Sequence, residues 1–325
     1  MAKGYPYIDG YDFIKEKWFD ARTLNPDVVI FTQPYNVGHK YFRIEHFWKN
    51  SVFVYTPYGM VLEYIEGFYN MLLQNIAYRL FYPTIFNYYD AQKLAYNKGT
   101  NIVVTGYPIE DEFKNHTASY EYIWKQKDPA IKRVIWAPHH SITNSETIDY
   151  STFLEIADSM LELCNKYLGK IQFAFKPHPV LKKKLYLHKS WGKEKTDLYY
   201  ARWQEMPNSI IAEHDYVDLF LTSDAMIHDC SSFTAEYLYA GNPVMYLSKS
   251  NHLSYANEFG KRCYEVHYHG SCISHVYDFI DDVVIGGNDT LKKTRHQFVD
   301  EHLSQHNTTV AEKIYKEIVA LMERH

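Results

Sequence analysis

With 325 residues, 46% of them hydrophobic and 22% charged, the chain has material for two globular domains. Its net charge of −5 argues against a general grip on nucleic acid, and no apolar run approaches the roughly 18 residues of a membrane-crossing helix. Four cysteines without metal-ligand spacing suggest neither a disulfide framework nor a zinc site. A reducing, cytoplasmic setting is expected, and the first residues, Met1-Ala2-Lys3-Gly4, lack the apolar core of a secretory leader.

The first part alternates between extended and helical patterns. Residues 28–32 read as a buried strand, 41–48 as a helix, 52–55 as a second strand and 60–78 as a long helix; 83–87 and 102–105 supply two more strands. The polar stretch 111–129 reads as a connection, giving domains at 1–120 and 121–325. The second part restarts the alternation, with strands at 134–137, 171–175, 209–212, 225–227 and 244–247 and an amphipathic helix at 152–167. A terminal helix over 309–322 is expected to pack back across the domains. Alternation of this kind predicts parallel sheets covered on both faces, with ligands beyond the carboxyl ends of the strands.

The polar motifs fall at those ends. Asp229-Cys230-Ser231-Ser232 follows the strand at 225–227 and opens a helix containing Glu236. A helix start presents unpaired N–H groups and the positive end of the macrodipole, so it favours phosphate. Ser231 and Ser232 add hydroxyls, Glu236 is placed to accept from ribose hydroxyls, and Asp229 suits a cap and orienting group. Lys176-Pro177-His178-Pro179 holds a cation and an imidazole in a proline-stiffened exit from a strand. Pro138-His139-His140-Ser141 ends another strand, and Pro57-Tyr58-Gly59 ends one in the first domain. No paired-histidine or paired-cysteine spacing marks a metal. The run Lys182-Lys183-Lys184, continuing to Lys195 with Trp191 interleaved, reads either as a solvated face or as a contact for anionic lipid headgroups or an anionic polymer, Trp191 entering the lipid interface.

Taken in order, Trp136-Ala137-Pro138, Lys176-Pro177-His178, residues 216–224, Asp229-Cys230-Ser231-Ser232 and Glu236-Tyr237 resemble the CDP-glycerol glycerophosphotransferase family, the teichoic-acid polymerases and primases and their capsule relatives. The resemblance covers residues 130–320 and is thin over 25–110. It implies a GT-B fold, two Rossmann-like domains facing across a cleft, the first abbreviated here. It also implies transfer of a polyol-phosphate from a CDP-activated donor to a hydroxyl of a cell-envelope glycan or lipid-linked acceptor, with release of CMP. Donor binding falls to Lys176, Asp229, Ser231, Ser232, Glu236 and Ser141, and catalysis to His178, Tyr58, His139 and His140. No cofactor beyond the nucleotide-activated donor is implied, and the enzyme would work peripherally on the inner face of the membrane. Two positions depart from the pattern. Tyr58 stands where the family carries a histidine proposed as catalytic base, and His139-His140-Ser141 replaces a Thr-Trp-Arg. The alternatives are a GT-B glycosyltransferase or UDP-sugar epimerase, or a catalytically idle nucleotide-binding subunit.

Overall fold

A computed structural model describes residues 6–35, 38–115, 123–143, 148–213, 216–249, 252–304 and 307–323. The chain divides into two compact units, Met1–Gly59 with Ile65–Thr105, and Met60–Tyr64 with Gly106–His325. The boundary expected at 120/121 lies outside the described residues. Residues 123–126 already pack into the second unit: Trp124 is buried, its indole N–H donating to Thr222 Oγ1 at 2.8 Å.

The first unit opens with an antiparallel hairpin, β1 (Tyr11–Asp12) and β2 (Lys17–Trp18). Its sheet has four parallel strands in sequential order, β3 (Val28–Phe31), β4 (Val52–Tyr55), β5 (Arg79–Tyr82) and β6 (Ile102–Val104). This is the abbreviated domain the sequence suggests, but three of its elements differ from expectation. The strand expected at 83–87 is displaced to Arg79–Tyr82; Pro83 cannot donate to a ladder, and Thr84 caps the helix Ile85–Leu94 by accepting from Asn87 N–H. The helix expected at 41–48 is two short 3₁₀ turns, Lys40–Phe42 and Ile44–His46, separated by Arg43 in extended backbone. The long helix expected at 60–78 does not form. Residues 60–64 are instead drawn into edge pairing in the second unit, and only a turn at Glu66–Phe68 and the helix Leu72–Ile76 follow.

The second unit holds six parallel strands, β7 (Lys132–Ala137), β8 (Ile171–Phe175), β9 (Ser209–Ile211), β10 (Ala225–His228), β11 (Val244–Leu247) and β12 (Tyr268–Gly270). Their order is β12-β11-β10-β7-β8-β9. The chain builds outward from β7 in one direction and then, from β10, in the other. The carboxyl ends of β7 and β10 therefore flank the point where the order reverses, the usual crevice for a ligand in a doubly wound sheet. Helices cover the sheet: Phe153–Lys166 turns Phe153, Ile156, Ala157, Met160 and Cys164 inward at helical spacing. Trp136 of β7 stacks on Phe153 at 5.7 Å and on Phe175 at 5.1 Å between ring centres.

Trp191 belongs to this same core, 5.0 Å from the Phe153 ring. It cannot enter a lipid interface as expected, because its indole is already packed against protein. The terminal helix Val310–Met322 packs on the helix Ile109–Asn115, where the Asp111 carboxylate accepts from Val310 and Ala311 N–H at 2.9 and 2.8 Å. Both helices lie in the second unit. Among the described residues no helix is long and apolar enough to cross a membrane, and all four cysteines are free.

Candidate active site

The site is built where β7 and β10 end. After β10 the Asp229 carboxylate is fully buried and accepts three hydrogen bonds, from His139 N–H at 2.5 Å, Thr152 N–H at 2.6 Å and Thr152 Oγ1 at 2.9 Å. It ties the loop after β7 and the start of the Phe153–Lys166 helix to the end of β10. Burial raises its pKa to about 6 against the pull of these bonds. Asp229 therefore does not cap the helix Ser231–Glu236 that follows it; the residue at the cap position is Cys230, which makes no side-chain capping bond. Its oxygens are taken up by protein donors from two other segments of the same unit. Ser141 is likewise buried and occupied. Its Oγ accepts from Tyr150 and Ser151 N–H at 2.9 and 3.1 Å and faces His139 Nδ1 at 2.9 Å, so it closes the loop.

Three imidazoles converge beyond β7 and β8. The His140 ring lies 4.2 Å from both His139 and His178, and His139 lies 5.5 Å from His178. Their Nδ1 atoms are all acceptors: His139 from Ser141 N–H at 3.2 Å, His140 from Lys184 Nζ at 2.9 Å, and His178 from Val180 N–H at 3.2 Å. A neutral imidazole that accepts at Nδ1 carries its proton on Nε2. Burial and the neighbouring positive groups bring the pKa of His139 down to about 3 and that of His178 down to about 4. Near pH 7 these two rings are neutral hydrogen-bond donors at Nε2, suited to phosphate oxygens. Among the described residues no group of three or more His, Cys, Asp or Glu is arranged to hold a metal ion.

The helix Ser231–Glu236 starts beside this cluster and continues as a 3₁₀ turn to Ala240, ending at Gly241, whose φ of +73° only glycine adopts without strain. Ser232 is half-buried, and its hydroxyl makes no hydrogen bond among the described residues. Ser231 Oγ donates to Glu63 Oε1 in a very short hydrogen bond, and Tyr150 Oη donates to the same oxygen at 2.6 Å. Further along the helix, Glu236 is buried and accepts from Tyr216 Oη at 2.7 Å and Tyr107 Oη at 3.1 Å. Burial pushes its pKa up to about 7, opposed by these bonds and by the Lys176 charge. Lys176 is itself buried, its Nζ 5.6 Å from the Tyr216 ring centre.

His139, His140, His178, Lys176, Ser231, Ser232 and Glu236 thus belong to one unit and one strand-end region. Tyr58 belongs to the first unit and is 64% exposed. Sequence reasoning missed Glu63, which reaches the site because residues 60–64 pair with the segment before the helix Glu258–Glu265. Tyr64 N–H donates to Tyr255 C=O at 2.7 Å, and Asn257 N–H donates to Leu62 C=O at 2.8 Å. Gly260 permits this approach, since a Cβ there would lie 2.4 Å from the Leu62 carbonyl oxygen. No local pattern marks that pairing. The basic run is partly engaged: Lys184 holds His140, and Lys182 and Lys193 pair with Asp197.

Residues 83–320 match the family model described as CDP-Glycerol:Poly(glycerophosphate) glycerophosphotransferase. No curated protein matches the chain. Among solved structures, the wall teichoic acid polymerase TagF superposes with a TM-score of 0.60 at 16% identity, over 88% of this chain and 72% of that one. The S. aureus MnaA–UDP co-structure gives 0.57 at 14% identity, over 93% and 78%. The UDP-GlcNAc 2-epimerase from Neisseria meningitidis bound to UDP-GlcNAc gives 0.51 at 15% identity, over 91% and 76%. At these identities the likeness establishes the fold, which is GT-B.

Proposed function

Because the chain belongs to the CDP-glycerol:poly(glycerophosphate) glycerophosphotransferase family, and so to CDP-glycerol-dependent transferases, we propose that its second unit binds the donor at the Ser231 turn and releases CMP on transfer. The observation that carries this reading is the convergence, at the reversal point of the β7/β10 order, of a helix start with the Ser232 hydroxyl and two neutral imidazoles donating at Nε2. A pyrophosphate placed there meets hydrogen-bond donors on two sides. As the bond to CMP breaks, charge grows on its oxygens, and preorganised donors stabilise that charge without having to reorganise. His178 and His139 would donate to phosphate oxygens, with Lys176 supplying a nearby positive charge. Glu236 would take the ribose hydroxyls in exchange for its tyrosine partners. Asp229 and Ser141 hold the loops that aim these groups. The reading calls for no cofactor beyond the donor.

The acceptor in this reading is a hydroxyl on a cell-envelope glycan or a lipid-linked acceptor of teichoic-acid type. The exposed Lys183, Lys189 and Leu187 support an approach to an anionic membrane surface. The second reading, a UDP-sugar epimerase, draws on the fold likeness to the UDP-GlcNAc 2-epimerase, whose TM-score of 0.51 is lower than the 0.60 of TagF. Incubation with CDP-glycerol and a glycerol-phosphate-primed acceptor separates the two. CMP release with acceptor elongation supports the transferase. Epimerised UDP-sugar without CMP supports the alternative, and tight CDP-glycerol binding without turnover identifies an idle binding subunit.

A further inference from the structure

We infer that Glu63 is the group that takes the proton from the acceptor hydroxyl, an assignment that rests on the transferase reading above. The transfer needs a proton acceptor within reach of the donor phosphate, and the other ionisable groups of the site are committed elsewhere. In the imidazoles of His139, His140 and His178, Nδ1 is occupied by a donor, so in the neutral rings the remaining nitrogen already carries a proton. Asp229 accepts three hydrogen bonds from backbone and hydroxyl donors. Both oxygens of Glu236 are taken by tyrosine hydroxyls.

Glu63 differs. Tyr150 and Ser231 both donate to its Oε1, while Oε2 has one long contact, 3.3 Å from the amide of Leu62. The carboxylate is 7% exposed and held by two hydroxyls on a single oxygen. Its second oxygen therefore has lone pairs to spare, one hydroxyl away from the turn that would hold the diphosphate. The Tyr150 ring also packs edge-on to His139 at 5.1 Å, so one contact network links the carboxylate to the imidazole donors.

In the step, the acceptor O–H bond breaks and its proton passes to Oε2 of Glu63. The oxygen's electron pair forms the new bond to the phosphorus of the glycerol phosphate. The P–O bond to CMP breaks, and that electron pair leaves on the CMP phosphate. Glu63 afterwards returns its proton to solvent. Ser231, whose hydroxyl donates to Glu63, fixes the carboxylate.

Glu63→Gln keeps an acceptor oxygen for Tyr150 and Ser231 but cannot take a proton. It is expected to bind CDP-glycerol within ~3-fold of the native protein by calorimetry, while kcat for CMP release falls by ~100-fold or more. Glu63→Ala should regain turnover on addition of formate, a small carboxylate that fits the vacated space, whereas His178→Ala should not. Native-like kcat in Glu63→Gln, or loss of CDP-glycerol binding with kcat preserved, would overturn the assignment and leave the transferase reading standing. Failure of the native protein to release CMP from CDP-glycerol overturns that reading and this assignment together.

Discussion

Replacing Asp229 by asparagine tests whether this carboxylate organises the strand ends. The native group receives His139 N–H on Oδ1 and both Thr152 donors on Oδ2. An asparagine offers one acceptor oxygen and one NH₂, so at least one buried N–H is left facing a donor, at a cost of about 1–3 kcal/mol. A pH-dependent part adds to this. The folded pKa is raised to about 6 from 3.8, so the carboxyl's contribution to stability is fully present below 3.8 and is lost as the pH rises through about 6. From about pH 5 to about pH 7.5 the folded group gives up its proton while the unfolded one has already done so, which lowers native stability by about 1.4 kcal/mol. Asparagine does not titrate and lacks that slope. The variant's deficit should therefore be greater by about 1.4 kcal/mol at the lower pH, because every other titrating group is common to both proteins. Urea unfolding followed by tryptophan fluorescence at the two pH values measures this difference. A deficit equal at both, or greater at the higher pH, would show that Asp229 is ionised throughout and that burial does not govern it.

Changing Ser231 and Ser232 together to alanine should weaken CDP-donor binding by ~10-fold or more, since a hydrogen bond to a charged group contributes about 1.5–3 kcal/mol; unchanged calorimetric affinity in the folded double variant would remove this turn from the donor site. His178→Ala should lower turnover by ~100-fold or more while shifting the melting temperature by only a few degrees, because the ring is half-buried in a loop; a large loss of stability with normal turnover would make it structural. Lys183→Glu with Lys189→Glu should abolish low-salt sedimentation with anionic liposomes, each lysine near such a surface contributing ~1 kcal/mol; if the native protein ignores these vesicles at low salt, the face is simply solvated.

The sheet of the second unit was legible because strands buried on both faces read as apolar runs. Residues 171–175 and 244–247 were placed to the residue. The strand β12 escaped notice, since Tyr268-His269-Gly270 has no apolar run and owes its state to pairing with β11. The serine turn, the Lys176-Pro177-His178 exit and the histidines after β7 could be grouped in advance, because strand ends in such a sheet share one side. Side-chain commitments could not. That Ser141 is spent on two backbone amides and Asp229 on the loops after β7 depends on contacts across distant segments. Trp191 was misread because charge around a tryptophan says nothing of which way the ring faces. Residues 60–64 show the sharpest failure: a helical periodicity lost to pairing with residues 255–257.

That same short segment has a consequence for how such a gene could be recombined. A crossover placed after residue 105, where the contacts divide the chain, looks like a clean exchange of modules. It would take Glu63 from one parent and Ser231, Tyr150 and Gly260 from the other. Chimeras between divergent relatives should then fail in proportion to how poorly that quartet is matched, even when each half comes intact from a working enzyme. The inheritable unit is accordingly discontinuous in sequence, and productive shuffling must carry residues 60–64 along with everything from 106 onward.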